Sequence, residues 1–157
     1  MEKTMNVAAY IANKFLSTYG QKIDEMKLHK LMYFAQRESF IQKNEPLFRA
    51  TFYGWKYGPI LKEIRGAYRE GTFENIVLQN FEDENSSTIL DNVFADYAEK
   101  DSWSLSRLTH GEISWKNSRI GIAQDDNSDR PMNNDDIRKD AKRIRERREM
   151  LAQLGLS

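Results

Sequence analysis

The chain has 157 residues, enough for one domain around a single buried core, and its 24 Lys+Arg and 24 Asp+Glu cancel to zero net charge. Apolar residues make up 39% and charged residues 31%, the balance of a soluble fold with a heavily solvated exterior. The absence of cysteine excludes disulfides and thiol chemistry and fits a cytoplasmic setting, and no apolar run nears the roughly 18 residues of a membrane span.

Charge is nonetheless sorted along the chain. Residues 1–69 hold 12 basic against 6 acidic side chains, residues 70–101 hold 1 against 9, and residues 102–157 hold 11 against 9. Zero net charge and an acidic middle argue against a protein that coats nucleic acid, whose affinity comes largely from neutralising phosphates. Sorted charge suits the orientation of a protein partner. The N-terminal MEKTMNVAAYIANKF has too short an apolar run for a signal peptide.

In chain order, residues 6–19 place Val7, Ala8, Ile11, Ala12, Phe15, Leu16 and Tyr19 at helical spacing, closed by Gly20. Asp24 caps a second helix running to about Lys43, whose main stripe is Leu28, Leu31, Met32 and Ala35. Phe34, Phe40 and Ile41 widen that stripe, which predicts a central helix with Lys27, Lys30, Gln36 and Arg37 on its remaining face. Residues 44–58 break the rhythm, and the aromatic and β-branched stretch 48–53 reads as a short strand. Pro59 sits where the first turn of a helix tolerates proline, ahead of Ile60, Leu61, Ile64, Ala67 and Tyr68, with Gly71 as the stop.

Ile76-Val77-Leu78 is either a partner strand over 76–79 or a loop pinned to the core. Ser86 or Ser87 caps a helix of residues 88–99, a short helix follows over 102–109, and another runs from about Glu112 toward Gly121. The polar connection 124–134 leads to a basic C-terminal helix over 135–153, capped by Asn134. The expected fold is mainly α: a single-domain bundle of six to seven helices over residues 1–157, with at most one hairpin near 48–53 and 76–79.

Chemistry has little support. Thr109-His110-Gly111-Glu112 is the most enzyme-like cluster, since a histidine and a carboxylate two residues apart can share a proton or a metal. The H-x-E of zinc deaminases requires cysteine ligands that are absent here, and the only other histidine is His29. The plainer reading is a helix junction, with His110 at the negative end of one helix and Glu112 opening the next. No nucleophile elbow or phosphate loop occurs. Residues 137–151 carry 7 basic against 3 acidic side chains, and Asp140, Glu146 and Glu149 interleave at i,i+3 and i,i+4 spacings that suit a solvated helix face. Neither catalytic residues, nor a metal, nor a cofactor is expected.

Several segments in fixed order carry a family likeness: Lys27-Leu-His-Lys-Leu-Met-Tyr-Phe-Ala-Gln36, Glu45-Pro-Leu-Phe48, Gly54-Trp-Lys-Tyr-Gly-Pro59, Leu105-Ser-Arg-Leu-Thr-His-Gly-Glu112 and Trp115. Together they resemble the Panacea, or SocA-like antitoxin, domain, whose pattern runs K-L-x-K-L-L-Y-F-x-Q, P-L-F, A-W-x-Y-G-P and L-T-H-x-E-x-x-W. Gly54 stands where alanine is usual, and Ile113-Ser114 replaces a more proline-prone stretch. The resemblance implies a cytoplasmic, phage-associated antitoxin that binds and neutralises a cognate protein toxin, or alternatively an adaptor that delivers the toxin to the ClpXP protease. Carried over by position, Trp55, Lys56, Tyr57, Gly58, Pro59, Thr109, His110, Glu112 and Trp115 are the signature and the candidate toxin-binding residues. Each is open to a structural or a contact role, because Trp and Tyr serve equally as buried corners and as binding anchors.

Overall fold

The structure, a computed structural model, describes residues 1–156, apart from the side chain of Glu74. Helix α1 (Thr4–Tyr19) ends at Gly20, whose φ of 70° lets its N–H reach the Leu16 carbonyl. Helix α2 (Glu25–Lys43) follows, with the Asp24 carboxylate accepting from the Lys27 N–H at 2.8 Å. Burial in α2 runs unbroken from Leu28 to Ile41, so this helix is the axis of the core. Its aromatic payload explains that place: Tyr33, Phe34 and Phe40 are almost fully buried, and each such side chain contributes roughly 2–3 kcal/mol.

The polar face of α2 is buried as well, and its groups hold neighbouring backbone. Gln36 Oε1 accepts from the N–H groups of Leu47 (2.8 Å) and Phe48 (3.2 Å), while its Nε2 donates to the Phe48 carbonyl (2.9 Å). That triple bond set explains why Gln36 and the Pro46-Leu47-Phe48 segment belong together: the amide replaces a missing strand partner.

Strands β1 (Phe52–Trp55) and β2 (Gly58–Leu61) form an antiparallel hairpin with Trp55 opposite Gly58, so only Lys56 and Tyr57 make the turn. This corrects the expected pairing with 76–79. That segment is instead a loop pinned by Asn6, whose Oδ1 accepts from Gln79 N–H (2.8 Å) and whose Nδ2 donates to Gln79 O (2.9 Å). Pro59 is correspondingly in β2 rather than a first helical turn. The helix cannot begin there because Leu61 is still extended, its N–H donating to His29 Nδ1 at 3.2 Å.

Helix α3 (Lys62–Glu70) stops at Gly71, and a 3₁₀ turn (Thr72–Asn75) leads to the loop. Helix α4 (Asn85–Tyr97) starts earlier than expected and without a serine cap. Ser86 Oγ donates instead to buried Glu2, whose carboxylate also takes the N–H groups of Glu82 and Asp83. Helices α5 (Ser102–His110) and α6 (Ile113–Ser118) are short, and α7 (Asn134–Gln153) is capped by Asn133 rather than Asn134. Seven α-helices and one hairpin are thus present among the described residues, and no helix among them is long and apolar enough to cross a membrane.

Helix α7 lies against α2 through Ile137 and Ala141, both buried. Asp140 departs from the expected solvated charge pairing, being only 1% exposed. It accepts from the N–H groups of Ile113 (2.7 Å) and Ser114 (3.0 Å), and so caps α6 from a different helix.

Candidate functional site

The hairpin turn is held by its backbone. Tyr57 O accepts from Ser106 Oγ (2.7 Å), Trp55 O from Trp115 Nε1 (2.9 Å) and Gly54 O from Arg119 Nη1 (3.1 Å). Lys56 shares a backbone hydrogen bond with His110, and its N–H donates to Asn127 Oδ1 at 3.1 Å. Each such bond contributes roughly 1 kcal/mol, and together they leave a two-residue turn little freedom. The two halves of the sequence signature are therefore one assembly, in which the segment from Leu105 to Trp115 grips the segment from Gly54 to Pro59.

Local sequence dictates how. Asp101 caps α5 through the Ser104 N–H (2.9 Å), which turns Leu105, Ser106 and Thr109 inward. Thr109 is fully buried, and its hydroxyl is returned to the Ser106 carbonyl at 2.7 Å. Gly58 adopts φ +117°, and a Cβ there would lie 2.6 Å from Thr109 Oγ1 and 2.8 Å from Lys30 Cε. Only glycine satisfies both the conformation and the space.

The rings divide by direction. Trp115 is half-buried and stacks on His110, with centroids 4.1 Å apart and planes at 13°. Trp55 is half-buried under the Arg65 guanidinium, 4.7 Å from its ring centre. Tyr57 instead faces outward at 42% exposure, edge-on to Trp103, which is 62% exposed and 5.3 Å away. A cleft of about 460 Å³ opens beside this pair, lined by Lys56, Tyr57, Trp103, His110, Trp115 and Arg119. A second cleft of about 260 Å³ lies on the other side of the turn, over Lys30 and Trp55.

His110 and Glu112 do not act on one another. His110 ends α5, as the junction reading expects, but burial, joined by the charges of Lys30 and Arg119, lowers its pKa, so the ring is neutral at pH 7 and is no cation for the helix end. Glu112 precedes α6 without making a side-chain cap. It turns inward to an ion pair with Arg37, which also donates to Tyr97 OH at 2.9 Å. Burial, with Asp140 nearby, pushes the Glu112 carboxyl up against the pull of Arg37. No hydrogen bond or ion pair links His110 to Glu112 among the described residues, so the contact that proton transfer between them requires is missing. Nor do any three His, Cys, Asp or Glu side chains among those residues form a group able to hold a metal ion.

Three residues at this site escape a sequence reading. Trp103 is flanked by serines on the outer side of α5, and only its exposure marks it. Arg119 follows α6 and spends its guanidinium on carbonyls of Gly54 (3.1 Å) and Ala123 (2.8 Å), which ties the connection after α6 to the hairpin. Lys30 reads as one of the polar positions of α2, yet it is 1% exposed beneath Gly58.

A family model described as antitoxin SocA-like, Panacea domain, matches residues 28–116, from the first turns of α2 to Lys116 in α6. The match takes in the hairpin, α5, His110 and Trp115, and leaves Arg119 and α7 outside. No curated protein and no solved structure matches the chain.

Proposed function

We propose that this chain, which belongs to the SocA-like antitoxin family built on the Panacea domain, neutralises a cognate protein toxin by binding it directly across the hairpin turn. The observation that carries this reading is the Tyr57–Trp103 pair. Two large aromatics stand exposed and edge-to-face, Trp103 on α5 and Tyr57 on a turn whose backbone is tied down by Ser106, Trp115 and Arg119. Rigid aromatic anchors lose little side-chain freedom on binding and are the residues most often found to dominate protein interfaces. The adjoining cleft offers a recess for a partner side chain, and the neutral His110–Trp115 stack forms its wall.

The test is co-expression with the toxin encoded beside the gene. Wild-type protein should restore growth and co-purify with the toxin. Tyr57→Ala and Trp103→Ala should each keep the helical circular dichroism and thermal midpoint of the wild type while weakening toxin binding at least tenfold. A toxin that stays fully active and unbound beside the wild-type protein overturns the reading. Following toxin half-life in the same cells separates direct occlusion from delivery to a protease such as ClpXP, because occlusion leaves turnover unchanged.

A further inference from the structure

Lys30 is a group whose placement the fold alone does not explain. It sits on the central helix at 1% exposure, and among the described residues its ammonium makes no hydrogen bond and no ion pair within 4 Å. A buried charge is normally paired, because an unpaired one costs several kcal/mol. Its surroundings are built to keep it so. Gly58 leaves no side chain above it, since a Cβ there would press on Lys30 Cε at 2.8 Å and approach Nζ at 3.3 Å. The nearby carboxylate that could have turned to it is engaged elsewhere: Glu25 Oε2 takes His29 Nε2 at 3.0 Å and Arg65 Nη1 at 3.1 Å. Asp24 is occupied as the cap of α2.

The ammonium instead borders the cleft of about 260 Å³ between α2, the hairpin turn and α3, whose walls include Trp55, Lys56 and Arg65. Trp55 contributes a second unsatisfied donor, for its indole N–H is buried without an acceptor. A recessed ammonium without an acceptor calls for an anion from outside. Because Arg65 is already neutralised by Glu25, one recessed positive charge remains at the floor, with Lys56 at the rim. That suits a monoanion; a phosphate dianion would lack a second recessed cation and would face the Glu25 carboxylate in the wall. The volume falls below that of usual small-molecule pockets and fits a single side chain.

We propose that this cleft is a carboxylate-binding socket, in which Lys30 pairs with an acidic side chain of the bound toxin. The proposal rests on the direct-binding function above and adds its recognition chemistry: Tyr57 and Trp103 give contact area, and Lys30 demands a negative charge in one place. A toxin presenting an apolar side chain there would leave the lysine sealed and unpaired, so the socket rejects partners as well as selecting them.

The experiment compares wild type with Lys30→Met, which is one atom shorter and uncharged, in binding to the neighbouring toxin. Lys30→Met should raise the thermal midpoint, because it removes a buried unpaired charge, and should weaken binding at least tenfold. A lysine with a merely structural role would lower the midpoint on replacement. In the wild type, ¹³C NMR of the Lys30 ε-carbon reads the same site without mutation. Burial pushes its pKa down to about 8, against the attraction of Asp24 and Glu25. The other ionisable groups about it are His29 on the same helix, Lys56 in the turn, Arg65 on α3 and His110 on α5. Toxin binding should return the pKa toward the ordinary lysine value of about 10.5, so affinity should fall as pH rises above about 8.

Sodium acetate should shift the ε-carbon signal of the toxin-free protein where inorganic phosphate at equal ionic strength does not. A response to phosphate alone, an ε-carbon pKa unchanged by the toxin, or full binding by Lys30→Met overturns the socket while leaving direct neutralisation intact. If wild-type protein fails to bind the toxin at all, the function proposed above falls first.

Discussion

The hairpin turn and helix α7 both look like partner surfaces in sequence, one for its aromatics and the other for its arginines, yet the fold treats their polar groups in opposite ways. In α7 the charges are largely spent internally: Arg138 on Asp135, Lys139 on Asp136, Lys142 on Glu146, and Arg148 on Glu38 through two bonds of 2.9 Å. At the turn, Trp55 Nε1, His110 Nε2 and the Lys30 ammonium have no partner. Folding penalises an unsatisfied buried polar group by roughly 1–3 kcal/mol, and a cluster of them is what the proposed partner surface requires. Charge density in a sequence therefore says less about binding than the presence or absence of internal partners.

The strongest way to test that α7 is structural is Asp140→Ala. Its carboxylate satisfies the N–H groups of Ile113 and Ser114 and lies 3.4 Å from Tyr33 OH, which also shares a hydrogen bond of 3.0 Å with Ser114 Oγ. Removing it strands several buried groups at once, and urea denaturation should report a loss of roughly 3–5 kcal/mol. The N-terminus of α6 would loosen with it, and with α6 the Trp115 grip on the hairpin, so tryptophan fluorescence should shift as well. A loss under about 1 kcal/mol would break the contrast drawn above.

A smaller effect tests how rigidly the turn is held. A Cβ on Gly54 would come within 1.9 Å of Ser118 Oγ and 3.0 Å of its Cβ. Gly54→Ala should therefore cost roughly 1–3 kcal/mol by overpacking. Pairing it with Ser118→Gly should recover most of that loss, a coupling that a double-mutant cycle reads directly. The same pair explains why residue 54 is glycine: Ser118, whose hydroxyl donates to Trp115 O at 2.6 Å, occupies the space a side chain there would need. Additive effects would mean that the clash is relieved elsewhere and the turn is softer than its hydrogen bonds imply.

How much of this was legible beforehand depended on the range of the cause. The central place of α2 shows in Leu28, Leu31 and Met32, and its start in Asp24, because periodicity and capping are local signals. The hairpin was misplaced because Gly58-Pro59 reads equally as a helix start. Its strand character comes from His29, thirty-two residues earlier, holding Leu61 extended. Asp140 resembled a surface partner for neighbouring lysines and arginines, since nothing near it in sequence reveals that α6 begins beside it. The signature residues were visible as a set, but not that Ser106, Trp115 and Arg119 bind the carbonyls of the turn rather than its side chains. Lys30 was the least legible, for a lysine on a helix is solvated by default and the hairpin that buries it, with Gly58 against its Cε, is brought over it only by the fold.

The smallest expected effect decides whether the basic face of α7 has any part in binding. Arg148 is half-exposed at 49% while its partner Glu38 is 10% exposed, so solvent screens one end of the pair and the other is nearly dry. Arg148→Met made together with Glu38→Gln keeps the stems packed and deletes the ion pair without stranding a carboxylate, which should cost about 1 kcal/mol or less. Its bond to Glu38 also explains why added salt should weaken the wild type slightly and the variant less. Toxin affinity should be unchanged, since Arg148 is already committed within the chain and α7 lies outside the turn. A drop in toxin binding at unchanged stability would move the partner surface onto α7. In that case the unsatisfied donors around Gly58 would need another explanation than an incoming carboxylate.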